Sequence, residues 1–356
     1  MGMWVRSVLA LLVIAAAAFL SWVFTSTYQP AAVQDEPVVN PSGLAPLQAG
    51  QSLSVLSWNV QFFAGNKDNH FFYDGGTDPW PSRDTVERVG RDIAAFIKAQ
   101  RPDIVLLQEM DEGADRTYRM DQTAMLLDLL PEYRAHTSTF YWKAQYVPHP
   151  GVAGKVGLKL VVLSRYPIDS AIRYALPAIT TDDFITRQFN LKRAFLELSL
   201  PIAGGGELKV INTHLSAFAQ GSDTMARQVD MIDQHLRALD AAGTPWLIAG
   251  DFNLLPDAAA YERLPAPHRE SYNASGTELA PLLKYPMVPS LESMSTEDVA
   301  KWYTYAPSSD PQRRPDRTID YLFYSPALTL ERSEVVHGDA LPLSDHMPVM
   351  ATLKLP

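Results

Sequence analysis

The chain contains no cysteine among its 356 residues. That excludes thiolate nucleophiles, Cys-ligated zinc, iron–sulfur clusters and disulfides together, and it leaves sulfur silent about the compartment. Positive charge is also scarce: 30 Lys and Arg stand against 40 Asp and Glu, a formal net charge of -10. No general basic field exists to hold polyanions nonspecifically, so a nucleic-acid partner would need a local basic groove. Apolar content is ample at 47%, and with 20% charged residues the chain can bury a large core as one big domain or two ordinary ones.

From Val8 to Phe24 run 17 residues in which Ser21 is the only polar side chain. This is slightly short of the roughly 20 residues that span hydrocarbon, but Trp4 and Val5 extend it at the interface. A cleaved signal peptide would want a small-x-small site after the run; Ala16-x-Ala18 lies inside it and none follows Phe24. Residues 1–26 are therefore read as an uncleaved transmembrane signal-anchor, with secreted or periplasmic release after cleavage as the alternative. Arg6 on the short side predicts the N-terminus inside and the body outside the cytoplasm. Residues 27–50, with Pro30, Pro37, Pro41 and Pro46, read as an extended linker, and 51–356 as one folded body.

Within the body, apolar strand-like runs alternate with amphipathic helices, an α/β pattern. Strands are expected at Leu53–Val60, Ile104–Leu107, Leu158–Leu163, Ala194–Leu200, Leu208–Asn212, Trp246–Ala249, Ile319–Tyr324 and Pro348–Leu355. Helices are expected at Asp84–Ala99, with Asp84 as N-cap and Glu87 completing a capping box, at Gln122–Leu130, and along the stripe Met225, Val229, Ile232, Leu236 and Leu239. Asn66–Ser82 and the proline-bearing Leu254–Arg317 read as surface insertions. Phe71, Phe72, Tyr73 and Trp80 in the first could form a substrate- or membrane-facing platform, although loop anchoring is the simpler reading. His70, His149, His235, His268 and His337 are assigned surface or structural roles, and Trp58 is assigned to the core.

Polar groups recur where the apolar runs end, the edge at which α/β sheets open to ligands. They are Trp58-Asn59, Gln108-Glu109, Asn212-Thr213-His214, Gly250-Asp251-Phe252-Asn253, Ile319-Asp320-Tyr321 and Ser344-Asp345-His346. Hydrolysis of a phosphate ester needs a cation to offset its charge, a base to activate water, and donors for the developing oxyanion. Glu109 and Asn59 offer hard oxygens suited to Mg2+ or Mn2+. His346 offers a base with a pKa near neutrality, whose tautomer a carboxylate such as Asp320 could fix. Singly, each motif has an ordinary reading as a turn or a structural hydrogen bond; six in this order are a different matter.

The ordered set resembles the motif series of the endonuclease/exonuclease/phosphatase family, from Leu53 to the C-terminus. The resemblance implies a four-layer α/β sandwich of two packed mixed sheets. It implies that Glu109 and Asn59 bind the principal metal and that His346 with Asp320 forms the base dyad. Asp251 and Asn253 would orient water or substrate, His214 would contact the scissile phosphate, Asp345 would bind or support metal, and Arg193 would face the phosphate. Inositol polyphosphate 5-phosphatases carry Trp-Cys before the dyad aspartate, where Thr318-Ile319 stands here, so that branch is disfavoured. The expected function is a phosphodiesterase acting outside the cytoplasm on a phospholipid head group or similar phosphodiester. An extracytoplasmic deoxyribonuclease or ribonuclease, and an inactive binding module of the same fold, are the alternatives. The expected partners are that phosphate ester, whether lipid, small molecule or nucleic acid, and a membrane; no protein partner is inferable.

Overall fold

A computed structural model describes residues 3–67, 77–78, 80–217, 221–274, 276–310 and 312–356. Two seven-stranded mixed sheets dominate them. The first orders β1 (Val33–Asp35), β7 (Ser170–Ala175), β8 (Ala194–Pro201), β9 (Glu207–His214), β10 (Trp246–Asp251), β12 (Asp320–Tyr324) and β11 (Met287–Val288). The second orders β13 (Thr329–Val335), β14 (Val349–Lys354), β3 (Ser52–Asn59), β4 (Ile104–Asp111), β6 (Gly154–Ser164), β5 (Ala135–Val147) and β2 (Val38–Val39).

Strands buried on both faces explain the continuous apolar runs. In β3, Leu53 and Val55 point between the sheets, towards Leu198, Val210 and Leu322, while Leu56 and Trp58 point outward. There they meet α2 (Arg83–Gln100) and, nearby, α3 (Gln122–Leu129), through Val86, Val89, Ile93 and Leu126. On the far side, α5 (Thr224–Ala241) sets Val229, Ile232 and Leu236 against Ile211 and Ile248. The result is helix, sheet, sheet, helix: the four layers expected.

Several expectations need correction. The α2 N-cap is Ser82, whose hydroxyl accepts from Thr85 N at 3.1 Å; Asp84 lies inside the first turn, where its charge suits the helix dipole. Gln108 and Glu109 do not end their strand, because β4 resumes pairing with β6 at Met110 after a bulge. Residues 27–50 are extended but not free. β1 pairs with β7, β2 pairs with β5, and Leu47 is fully buried between the sheets, so this stretch straps both sheets. Much of 254–317 is likewise packed: β11 adds an edge strand, and Leu279, Leu282 and Met294 complete the apolar layer beneath α5. Most of 66–82, including His70, Phe71, Phe72 and Tyr73, lies outside the described residues; Trp80 is 40% exposed.

One helix among the described residues, α1 (Met3–Thr25), is long and apolar enough to cross a membrane, with a mean hydropathy of 2.5 over Trp4–Thr25. Its flank is exposed, but its last turn docks on the body: Val23 is buried with Ala144, Val147 and Val156. Beside it lies the short α4 (Phe184–Phe189), a helix the sequence reading did not include.

Candidate active site

Strand register assembles the site. β9 and β10 run parallel and β12 runs antiparallel to β10, so His214, Asp251 and Asp320 fall in one row across three strands of the first sheet. Their close approach requires Gly250, at φ 152°, since a Cβ there would lie 1.9 Å from Thr213 O. The second sheet contributes Asn59 from the end of β3, Glu109 from the β4 bulge, and the segment before β14 that carries Asp345 and His346. Glu109 (φ 58°) and Asn253 (φ 53°) both take left-handed backbone, a strain that re-aims their side chains. Below the site Asn212 bridges the two sheets: its Nδ2 donates to Leu107 O and Val161 O, each at 3.0 Å, and its Oδ1 accepts from Gln108 Nε2 at 2.7 Å.

His346 Nδ1 lies 2.8 Å from Asp320 Oδ2, and both residues are buried. Trp58 Nε1 donates to His346 O at 2.7 Å, His346 N donates to Ser344 Oγ at 3.1 Å, and Tyr305 packs edge-on against the ring. The imidazole is thereby fixed with Nε2 free, 3.7 Å from Asp251 Oδ2. Burial disfavours its cation, but the Asp320 and Asp251 carboxylates outweigh this and hold the pKa well above the usual histidine value. The near-neutral base expected from sequence is thus displaced, because two buried carboxylates share its charge. His214 behaves oppositely: burial, Arg193 and His346 lower it well below the usual value, so it is a neutral ring. Its Nδ1 lies 3.3 Å from the Tyr141 hydroxyl and its Nε2 3.3 Å from Asp251 Oδ2.

The donor set fits a hard divalent cation. Asn59 Nδ2 sits between Glu109 Oε1 at 3.2 Å and Asp251 Oδ2 at 3.1 Å, a small dipole where two carboxylates call for positive charge. Burial, with Asp320 and Glu109 nearby, pushes the Asp251 carboxyl up to about 7 despite His346 and Asn59. Asp251, Asp320 and His346 offer potential ligand atoms that all lie within 4.8 Å of one another. Asp345 stands apart, its Oδ2 accepting from Gln61 Nε2 at 2.9 Å, and Gln61 N donates to Asn59 Oδ1 at 3.0 Å. Gln61 therefore links Asp345 to Asn59. Over these groups opens a cleft of about 680 Å³, walled by Arg116, Arg193, Tyr272, Tyr305 and Arg317 among others.

Residues 56–346 match the model of the endonuclease/exonuclease/phosphatase family. The chain belongs to that family. Its members are generally hydrolytic phosphoesterases. Among solved structures, the chain is similar to an endonuclease/exonuclease/phosphatase from Beutenbergia cavernae DSM 12333, at 24% identity and a TM-score of 0.59, covering 85% of this chain and 72% of that one. A Bacteroides vulgatus protein of the same description matches at 16% identity and a TM-score of 0.53 over 86% of this chain and 100% of the other. The human Nocturnin catalytic domain with bound sulfate matches at 19% and 0.51, over 89% and 97%. At these identities the likeness speaks for the fold alone. No curated protein matches the sequence significantly.

Within the family framework, all nine residues singled out from sequence border the cleft or pack beneath it. Asn59, Glu109, His214, Asp251, Asp320 and His346 meet directly; Asn253 N donates to Asp251 Oδ1 at 2.9 Å and holds that carboxylate. Arg193 stacks over Tyr141 at 5.2 Å, and its Nη1 is buried with no hydrogen-bond partner among the described residues. Sequence reasoning missed Tyr141 and Gln61. Tyr141 lies on β5, a strand not recognised, and Gln61 follows Asn59 in a left-handed turn, where Gln61, Phe62 and Phe63 all have positive φ. His268, assigned to structure, sits at the cleft wall between Asp316 and Arg317.

Proposed function

We propose that this chain is a divalent-metal-dependent phosphodiesterase, anchored by α1 with its body outside the cytoplasm, that hydrolyses a phospholipid head group or a similar phosphodiester. The observation that carries it is the buried Asp320–His346 pair beside Asp251 and His214 on the floor of an open cleft. Asp320 holds Nδ1, so Nε2 is the atom at which the ring loses its proton to the cleft and, once neutral, takes one from water. Asp251, facing both histidines, orients that water. Neutral His214 and the unpartnered Arg193 Nη1 provide hydrogen bonds and charge for the non-bridging phosphate oxygens. Glu109 and Asn59 would hold Mg2+ or Mn2+, with Asp345 supporting Asn59 through Gln61. Bound there, the cation supplies neutralisation of the phosphate charge.

The test is a screen of the purified full-length protein in detergent against phospholipid, small phosphodiester, phosphomonoester and plasmid substrates, with Mg2+, with Mn2+ and after verified metal removal. Metal-dependent release of a phosphorylated head group is the expected result. Plasmid nicking without lipid turnover would favour a nuclease, and silence on every substrate would favour an inactive module.

A further inference from the structure

The end of α1 is bound to one wall of the active-site cleft. Phe24 stacks on Phe184 at 5.9 Å and meets Phe189 edge-on at 5.4 Å, while Gln188 Nε2 donates to Phe24 O at 2.9 Å. Both rings belong to α4, and α4 is pinned in turn to the cleft: Asn190 Nδ2 donates to Asp182 Oδ2 at 2.7 Å across its base, and Trp142 Nε1 donates to Phe189 O at 2.7 Å. Asp182, Asn190, Leu191 and Trp142 all line the cleft. Earlier in α1, Phe19 lies against Tyr146 of β5 at 5.9 Å, so contact continues for more than a turn.

On the outer side of this junction, Phe184 is 74% exposed and Ile185 60% exposed. Two adjacent large apolar side chains standing in water next to the exit of an apolar helix need a cover, and the surface continuous with them is the bilayer that would hold α1. Building on the phosphodiesterase reading, we propose that α4 is an interfacial element: Phe184 and Ile185 enter the same bilayer leaflet from which α1 emerges. The rim of the cleft then stands at head-group level, and the substrate is an amphiphilic phosphodiester taken from that leaflet rather than a solute from bulk water. The short, hydrogen-bonded path from Phe24 through α4 to Asn190 leaves the cleft no slack to turn away from the membrane.

The absence of cysteine permits a clean depth measurement. Full-length Ile185→Cys and Thr329→Cys would each carry one nitroxide label in phosphatidylcholine vesicles; Thr329 is exposed on β13, at the opposite edge of the second sheet from β5. The label at 185 should be reached more by oxygen and less by a water-soluble nickel chelate than the label at 329. Equal accessibility, or failure of the protein to associate with vesicles, overturns the proposal. In a second arm, the Phe184→Ser/Ile185→Ser variant should lose about tenfold or more in hydrolysis of vesicle-borne phosphodiester lipid while keeping wild-type turnover of bis(4-nitrophenyl) phosphate. An equal loss on both substrates, or none on either, counts against it. Should the wild type hydrolyse neither substrate, the phosphodiesterase reading fails by itself and the label decides the interfacial placement.

Discussion

Replacing Leu47 by Ala tests whether residues 27–50 are a tether or part of the body. Leu47 has no exposed surface, joins the core between the sheets, and is held by Leu47 N donating to Pro201 O at 3.0 Å and Ala203 N donating to Leu47 O at 2.7 Å. Truncating a fully buried leucine costs about 2–5 kcal/mol through lost transfer energy plus the cavity left behind. A point substitution, unlike deletion of the strap, leaves the cost of ordering the chain unchanged, so the loss reports packing alone. At roughly 2–4 °C per kcal/mol for a domain of a few hundred residues, the melting temperature of the full-length protein in detergent should fall by about 5–15 °C. Val39→Ala serves as control: it lies on the same strap but is 49% exposed, and should shift the melt by no more than a degree or two (roughly ±0.5 kcal/mol). Indistinguishable melts for the two variants would refute the packing argument. If it holds, a chain beginning at Gln48 should aggregate, because the outer edges of β5 and β7 would lose their partners.

The dyad predicts that His346→Ala lowers kcat by a factor on the order of 100 to 10,000 with little change in KM, and that adding Asp320→Asn makes it scarcely worse; multiplied penalties in steady-state kinetics would mean independent roles. Glu109→Gln should abolish most metal-supported turnover while the melt of the metal-free protein stays near wild type, and a folding loss would assign Glu109 to structure instead. Tyr141→Phe, which removes the hydroxyl near His214 Nδ1, should reduce turnover only modestly and leave folding intact, checked by kcat and thermal melt together. Gly250→Ala should fail to fold or lose more than about 3 kcal/mol in urea unfolding, since its Cβ would overlap Thr213 O; a loss under ~1 kcal/mol contradicts that contact.

The readable parts of the sequence were those where burial and chemistry alternate along one strand. β3, β9 and β10 are apolar runs that end in Asn59, His214 and Asp251, and both run and ending could be seen in the letters. β5 could not, because its inward positions include Thr137 and Thr139, buried polar residues whose partners come from the strap: Thr137 Oγ1 donates to Pro37 O at 2.8 Å and Thr139 Oγ1 to Glu36 Oε1 at 2.6 Å. Hydropathy cannot register a threonine made acceptable by a residue a hundred positions away. With β5 went Tyr141. The same blindness made the strap look like a linker, since its prolines signal extension whether or not a sheet edge receives it. The left-handed backbone at Glu109 was equally invisible, for nothing in Gln108-Glu109-Met110 demands a bulge until β6 is alongside. The raised pKa of His346 depends on Asp320 and Asp251 both arriving from the other sheet, a fact of packing rather than of spacing.

Asn212 gives the molecule a property beyond its hydrogen bonds. The proposed ligands and bases come about half from each sheet, and directly below them this amide joins the Asn59–Asp251 and His346–Asp320 hydrogen bonds in holding the two against sliding. Sheet-on-sheet packing through apolar side chains alone resists separation better than it resists shear, whereas directed hydrogen bonds fix the offset. In the proposed phosphodiesterase, turnover would therefore depend on the alignment of the two sheets. Any divalent cation gripping Glu109 and Asp251 at once acts as a cross-brace between the halves, so its binding should raise the melting temperature in proportion to the logarithm of its concentration.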